Sequence, residues 1–123
     1  MGFRDSPLVG KSYLFAVSIV RLVQTLQTDK REFILSKQLL RSGTSIGALI
    51  REAEFAQSDL DFIHKLSISL KEANETNYWL DLLHDTTYLS DDEFKEIKYK
   101  SDELVRLLVA SIKTLKSKSL SKK

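Results

Sequence analysis

Residues 36–57 of the chain read SKQLLRSGTSIGALIREAEFAQ, and their periodicity predicts most of one long helix that ends near Ala56. At about 100° per residue, the apolar and small side chains of this stretch fall on one third of the helix circumference. They are Leu35, Leu39, Ser42, Ile46, Leu49, Ile50 and Ala53. A helix with one such face must bury it against other helices. The stretch therefore predicts a helical bundle.

The opposite side of the predicted helix is basic. Its cations are Lys30, Lys37, Arg41 and Arg51, which we call the basic stripe. These side chains must stay in water or meet an anion, and lysine and arginine are the usual contacts to RNA phosphates. The stripe therefore predicts nucleic-acid binding, with ordinary solvated surface charge as the alternative.

A third line of residues lies between these two faces and predicts a subunit contact. It consists of Phe33, Leu40 and Gly47, which are apolar but point away from the main core direction. Gly43 and Gly47 each cost about 1 kcal/mol relative to alanine in a helix interior. We therefore expect a close helix–helix approach at the glycines, the alternatives being a kink or a phosphate-cradling loop.

Composition predicts a single globular domain with few, long elements. The chain has 123 residues, of which 42% are hydrophobic, with one proline and four glycines. The absence of cysteine from the sequence excludes disulfides and thiolate sites. We see no secretory signal and no apolar run long enough to span a bilayer, so we expect a cytoplasmic protein without a membrane partner.

Three further helices follow from the patterns on either side of this stretch. The first begins at Ser6-Pro7, ends near Gln27 and has a wide apolar face that includes Tyr13 and Val20. Ser58 predicts the cap of the third, whose expected core face is Phe62, Leu66, Leu70, Ala73, Asn77 and Leu80. Ser90 and Glu93 form a capping box for the fourth. The expected core face of this helix has near-heptad spacing and consists of Phe94, Ile97, Ser101, Leu104, Leu108, Ile112 and Leu115. The prediction is an all-α, antiparallel up-down-up-down four-helix bundle over residues 1–115, followed by a basic, disordered tail over 116–123.

A second apolar group lies on another side of the third helix and consists of Ile68, Trp79 and Leu83. Such a group is either a wide core contact or an interface anchor. With the line on the second helix it would give the two different patches that a closed ring requires. The chain is therefore expected to form a homo-oligomer.

No catalytic constellation is apparent in the sequence. His64 and His84 lie twenty residues apart on one predicted helix, so about 30 Å separates them and they cannot share a metal. Ser45 has no histidine at helical spacing to act as its base. We expect a non-enzymatic protein with no catalytic residue, no metal and no cofactor.

The central stretch also resembles a known family. The run from Gln38 to Ala48, followed by Ile50-Arg51-Glu52-Ala53, is similar to the signature of a bacterial four-helix-bundle family. This family is also called the 23S rRNA intervening-sequence protein family or S23 family. The resemblance extends over most of the chain through the motifs around Ser58, Asp59, Phe62 and Ile63, residues 70–73, Glu75-Thr76 and residues 78–80. One position departs from the pattern, because Leu49 stands where the family usually has asparagine.

The resemblance implies a four-helix bundle that assembles into a ring, commonly a pentamer. Relatives serve as accessory proteins to retroelement reverse transcriptases, so a reverse transcriptase or another nucleoprotein is an implied partner. With the basic stripe, this predicts a non-enzymatic oligomer that binds RNA or another nucleic acid. The alternative is a protein–protein interaction scaffold with no nucleic-acid role.

Overall fold

The protein folds into four helices joined by short turns. The computed structural model describes residues 2–121, with every side chain except those of Arg4 and residues 119–121. After a single 3-10 turn, Phe3–Asp5, come α1 (Pro7–Thr28), α2 (Leu35–Ala53), α3 (Asp59–Asp85) and α4 (Asp91–Ser121). Each helix packs against its neighbours in the chain, and α4 returns to α1. This is the predicted antiparallel four-helix bundle, and residues 2–121 contain no β-strand.

The predicted core face of α2 is confirmed at five of its seven residues, with Leu35 and Leu49 half-buried, and that of α4 is confirmed. In α2, the buried residues of the predicted face are Leu39, Ser42, Ile46, Ile50 and Ala53. In α4, they are Ile97, Ser101, Leu104, Leu108 and Ile112, with Phe94 and Leu115 packed at the edge. The buried face of α3 is rotated from the prediction and comprises Ile63, Leu66, Ser69, Ala73, Thr76, Leu80 and Leu83. The predicted residues Phe62, Leu70 and Asn77 are half-buried.

The rotation of α3 follows from hydroxyl groups that pair inside the bundle. Ser69 Oγ donates a hydrogen bond of 2.9 Å to the backbone carbonyl of Ile46 in α2. Thr76 Oγ1 lies 3.0 Å from Ser42 Oγ, also across the α2–α3 contact. Because these polar groups find partners, small hydroxyl side chains can face the core and let the two helices approach closely.

The glycines of α2 mark its contact with α1. A methyl group on Gly43 would lie 2.9 Å from Cγ1 of Ile19. One on Gly47 would lie 3.2 Å from the backbone carbonyl oxygen of Ser12. Both glycines therefore serve close helix packing, as predicted, and α2 continues through them without interruption.

Two predicted caps are present at the starts of α3 and α4. Ser58 Oγ accepts from the Asp61 backbone N–H, while the Asp61 carboxylate accepts from Gln57, one residue before the expected position. At α4 the capping box is complete. Ser90 Oγ accepts from the Glu93 N–H, and the Glu93 carboxylate accepts from the Ser90 N–H.

The start of α2 differs from the prediction, which placed residues 32–34 in the helix. Arg31 has a φ of 55°, in the left-handed region, and breaks the helical path. The nearly buried Glu32 then caps α2 with its carboxylate, which accepts from the backbone N–H groups of Ile34, Leu35 and Ser36 at 3.1, 3.0 and 2.7 Å. Burial alone would raise the pKa of Glu32, but these donors outweigh it and hold the pKa below its ordinary value.

The end of α4 also differs from the expected boundary at Leu115. The helix continues to Ser121, so the described part of the predicted disordered tail is helical. Lys116 and Lys118 are exposed on this last segment. Lys122 and Lys123 lie outside the described residues.

The first prediction compares two glycines in helices. Gly10→Ala in α1 has open space around the new methyl group and should stabilise the protein by about 0.5–1 kcal/mol. Gly43→Ala gains the same helix propensity but forces Ile19 to shift, and overpacking costs about 1–3 kcal/mol. The free energy of unfolding measured in urea should therefore be about 1–3 kcal/mol lower for Gly43→Ala than for Gly10→Ala. Equal stabilisation by both substitutions would refute the close approach at Gly43.

The second prediction concerns the Glu32 cap. Glu32→Gln should lower the free energy of unfolding at about pH 7 by about 0.5–2 kcal/mol, because the charged acceptor is lost. The folded pKa of Glu32 is lowered, so its stabilisation is complete above the ordinary value of 4.5 and is lost as pH falls through the folded pKa. Urea titrations should show the difference in unfolding free energy between wild type and variant shrinking as pH falls below 4.5. A gap that does not change with pH would mean that the carboxylate charge has no part in the cap.

Candidate nucleic-acid interface

The exposed face of α2 carries three of the four cations of the basic stripe. Lys37, Arg41 and Arg51 are all exposed, and helical spacing places them within an arc of about 80° that extends for about 21 Å. None of the three forms an ion pair with a described residue. Their charges are therefore directed into solvent and can meet an anion.

Lys30, the fourth cation, lies in a different setting from the one predicted. It belongs to the turn between α1 and α2, not to the helix, because α2 begins only at Leu35. Lys30 is exposed at the end of the bundle where α2 starts. The stripe is thus three helical cations with a fourth on the adjoining turn.

A groove of about 410 Å³ lies beside the stripe, between α1 and α2. Its walls are mainly apolar and include Val9, Tyr13, Ala16, Gly47, Ala48 and Phe55. Tyr13 is 57% exposed and Phe55 is 74% exposed, so two aromatic rings are open to solvent here. The sequence interpretation missed this groove because it placed Tyr13 on the apolar face of α1.

The charged residues of the groove are Arg51 and Glu52. The guanidinium carbon of Arg51 lies 5.8 Å from the centroid of the Tyr13 ring, within the range of a cation–π contact. This contact holds one cation of the basic stripe at the edge of the groove. A ligand that joins an anion to a planar apolar group could therefore make both contacts side by side at this groove.

The line predicted as a subunit contact on α2 is partly covered within the bundle. Gly47 closely approaches the Ser12 carbonyl, and Leu40 is half-buried against the core. Phe33 is exposed, but it lies in the turn before α2. Contacts within the bundle therefore cover much of Leu40 and Gly47, and the subunit contact at these three residues stays a prediction.

The second predicted patch, on α3, is also divided by the structure. Leu83 is fully buried in the core and offers no surface to a partner. Ile68 and Trp79 are half-buried, and Trp79 Nε1 donates to the Glu75 carboxylate at 3.2 Å. The exposed ring of Tyr78 packs edge-on against Trp79 with centroids 5.0 Å apart. Trp79, together with Tyr78, which the prediction did not include, forms an outward aromatic patch.

The two histidines are far apart and in unlike settings. His64 is exposed, while the His84 ring stacks on Phe94 at 4.1 Å and lies 2.7 Å from the Asp91 carboxylate. The hydrogen bond with His84 lowers the pKa of Asp91. Within the described residues, no three histidine or acidic side chains are grouped as metal ligands. None of the described helices has the length and apolar content needed to cross a membrane.

Comparison with known proteins identifies the family. A solved structure of a protein of unknown function from the S23 ribosomal protein family of Bacteroides thetaiotaomicron VPI-5482 is 55% identical to the chain. The match covers 86% of this chain and 95% of the other, with a TM-score of 0.85. No curated protein matches. The sequence model described as 23S rRNA-intervening sequence protein matches residues 4–110, and the chain therefore belongs to the 23S rRNA-intervening sequence protein family.

Proposed function

We propose that the protein is a non-enzymatic, cytoplasmic RNA-binding protein that contacts phosphates through the basic stripe. The observation that carries this proposal is the set of solvent-directed cations on one face of α2, which form no ion pair with a described residue. Lysine and arginine contacts to phosphates provide affinity and register but read little sequence. The name of the family, which refers to 23S rRNA, favours RNA as the anion.

The net charge of the whole chain does not by itself favour RNA binding. The formal charge is +2, and residues 111–123 include five lysines and no acid. Any attraction for RNA must therefore come from a local surface. Three phosphate contacts on a single strand would give a slope of about −2 for log K against log salt.

We further propose that the protein acts as a homo-oligomer, a pentamer by its resemblance to the family. The support within the chain is the outward Tyr78–Trp79 patch on α3 and the exposed apolar pair Phe33 and Ile34 before α2. These are two different patches, as a head-to-tail ring requires. Repeating a stripe of few cations around a ring would raise its affinity by avidity. Association with a reverse transcriptase or another nucleoprotein is a further proposal that rests on the resemblance alone.

The third prediction tests RNA binding through the stripe. Lys37→Glu combined with Arg41→Glu should abolish retention of RNA in a filter assay, because two phosphate contacts become repulsive. Binding by wild type should weaken as salt rises, with the slope given above. Circular dichroism should show an unchanged helical fold, since both side chains are exposed.

The matched control for this double variant is Lys71→Glu with Arg106→Glu. These residues are also exposed cations, on α3 and α4, and their replacement changes the net charge equally. Retention of RNA by the control and its loss in the stripe variant would support the proposal. Equal loss in both would indicate a nonspecific charge effect, and unchanged binding in both would remove the stripe from the function. Binding to a partner that does not change with salt concentration would favour the alternative function, a protein–protein interaction scaffold.

The fourth prediction tests assembly. Light scattering coupled to gel filtration should give wild-type protein a mass several times the 14.1 kDa of one chain. Trp79→Ala and Phe33→Asp should each shift the protein towards the monomer, because each removes apolar contact area. Leu14→Ala, at an exposed apolar position of α1 outside both patches, is the control and should leave the mass unchanged. A wild-type monomer at micromolar concentration would contradict the proposed oligomer.

A further inference from the structure

From the groove between α1 and α2 we propose that the RNA ligand is single-stranded and that an unpaired base stacks in this groove. The inference rests on the proposed function and specifies the class of RNA. Its basis is the position of an apolar groove with exposed aromatic rings directly beside cations of the basic stripe.

The size and composition of the groove suit a planar ring. Gly47 and Ala48 contribute no large side chain to its lining, and Val9 and Ala16 add apolar surface from α1. Tyr13 and Phe55 supply exposed aromatic faces. Bases stack on such rings with little dependence on their identity, because every base has a π-face.

The charges around the groove distinguish a nucleotide from a neutral apolar partner. Arg51 lies 5.8 Å from the Tyr13 ring centroid, so a base stacked on this ring would carry its phosphate near the guanidinium. Arg41 lies about 15 Å further along the exposed face of α2, so it would meet a phosphate about two nucleotides away on the same strand. Glu52 also lines the groove, so the lining itself carries one charge of each sign. The excess positive charge comes from the exposed Lys37 and Arg41 on the same face of α2, and it favours an RNA strand over a second copy of the chain as the occupant.

The requirement for a free base excludes a regular duplex from this mode of binding. In an RNA helix the bases are paired and stacked on each other, and side chains cannot reach their faces. A loop or unpaired strand leaves the bases free to enter. Phosphate contacts from the basic stripe alone would accept both forms of RNA.

The experiment compares an unpaired RNA oligonucleotide containing 2-aminopurine with the same strand annealed to its complement. Wild-type protein should bind the single strand more tightly and quench its fluorescence by stacking. Tyr13→Ala combined with Phe55→Ala should weaken single-strand binding by about tenfold or more and remove the quenching. Tyr13→Phe should preserve both, because it keeps the ring.

Tyr99→Ala is the matched control, since Tyr99 is 67% exposed on α4 and does not line the groove. Equal binding of single strand and duplex, with no effect of the double variant, would overturn the inference. If the stripe variant still lost binding in that case, the proposed function would stand. Failure of wild type to bind either RNA would overturn both. A change of oligomeric mass in the double variant, without a change in RNA binding, would assign the groove to a subunit contact instead.

Discussion

The close approach of α1 and α2 is the contact on which the arrangement of the molecule depends. Gly43 and Gly47 bring the backbone of α2 against Ile19 and Ser12 of α1, with no room for a methyl group at Gly43. Helix propensity opposes glycine at these positions, so the packing must compensate for that cost. On the adjacent side of α2, hydroxyl groups of α3 form hydrogen bonds with α2. Two sides of α2 are therefore occupied within the bundle, and its remaining face is directed into solvent.

The solvent-exposed face of α2 carries the residues on which the proposed function depends. Lys37, Arg41 and Arg51 project from it, and the groove with Tyr13 lies along its border with α1. The same small residue, Gly47, permits the helix contact and lines the groove. A cationic surface can thus lie next to an apolar one without either disturbing the core. A fixed helix holds these cations at set positions, about 6 Å from Lys37 to Arg41 and about 15 Å from Arg41 to Arg51 along its axis, where they can contact separate phosphates of one strand.

Much of the fold could be predicted from sequence because its signals are local. Heptad-like spacing in α4, the Ser90–Glu93 box and Pro7 at the start of α1 each depend on residues close in the chain. The start of α2 could not be predicted in this way. Glutamate, here Glu32, is not a usual cap, and nothing in the local sequence indicates that Arg31 adopts a left-handed conformation. The error at Leu83 has another cause. Helical periodicity identifies apolar faces but not which of them meet a neighbouring helix. The groove depends on the relative position of α1 and α2, so no local pattern could reveal it.

The central claim is that RNA lies along the exposed face of α2 and its border with α1, and photo-crosslinking tests it most directly. Single-stranded RNA containing 4-thiouridine would be bound to the wild-type protein, irradiated and digested, and the linked peptides identified by mass spectrometry. We predict crosslinks to the α1 peptide that contains Tyr13 or to the peptide after α2 that contains Phe55, and suppression of both by unlabelled RNA. Crosslinks confined to α3 and α4, with α1 and α2 peptides recovered unmodified, would contradict the claim.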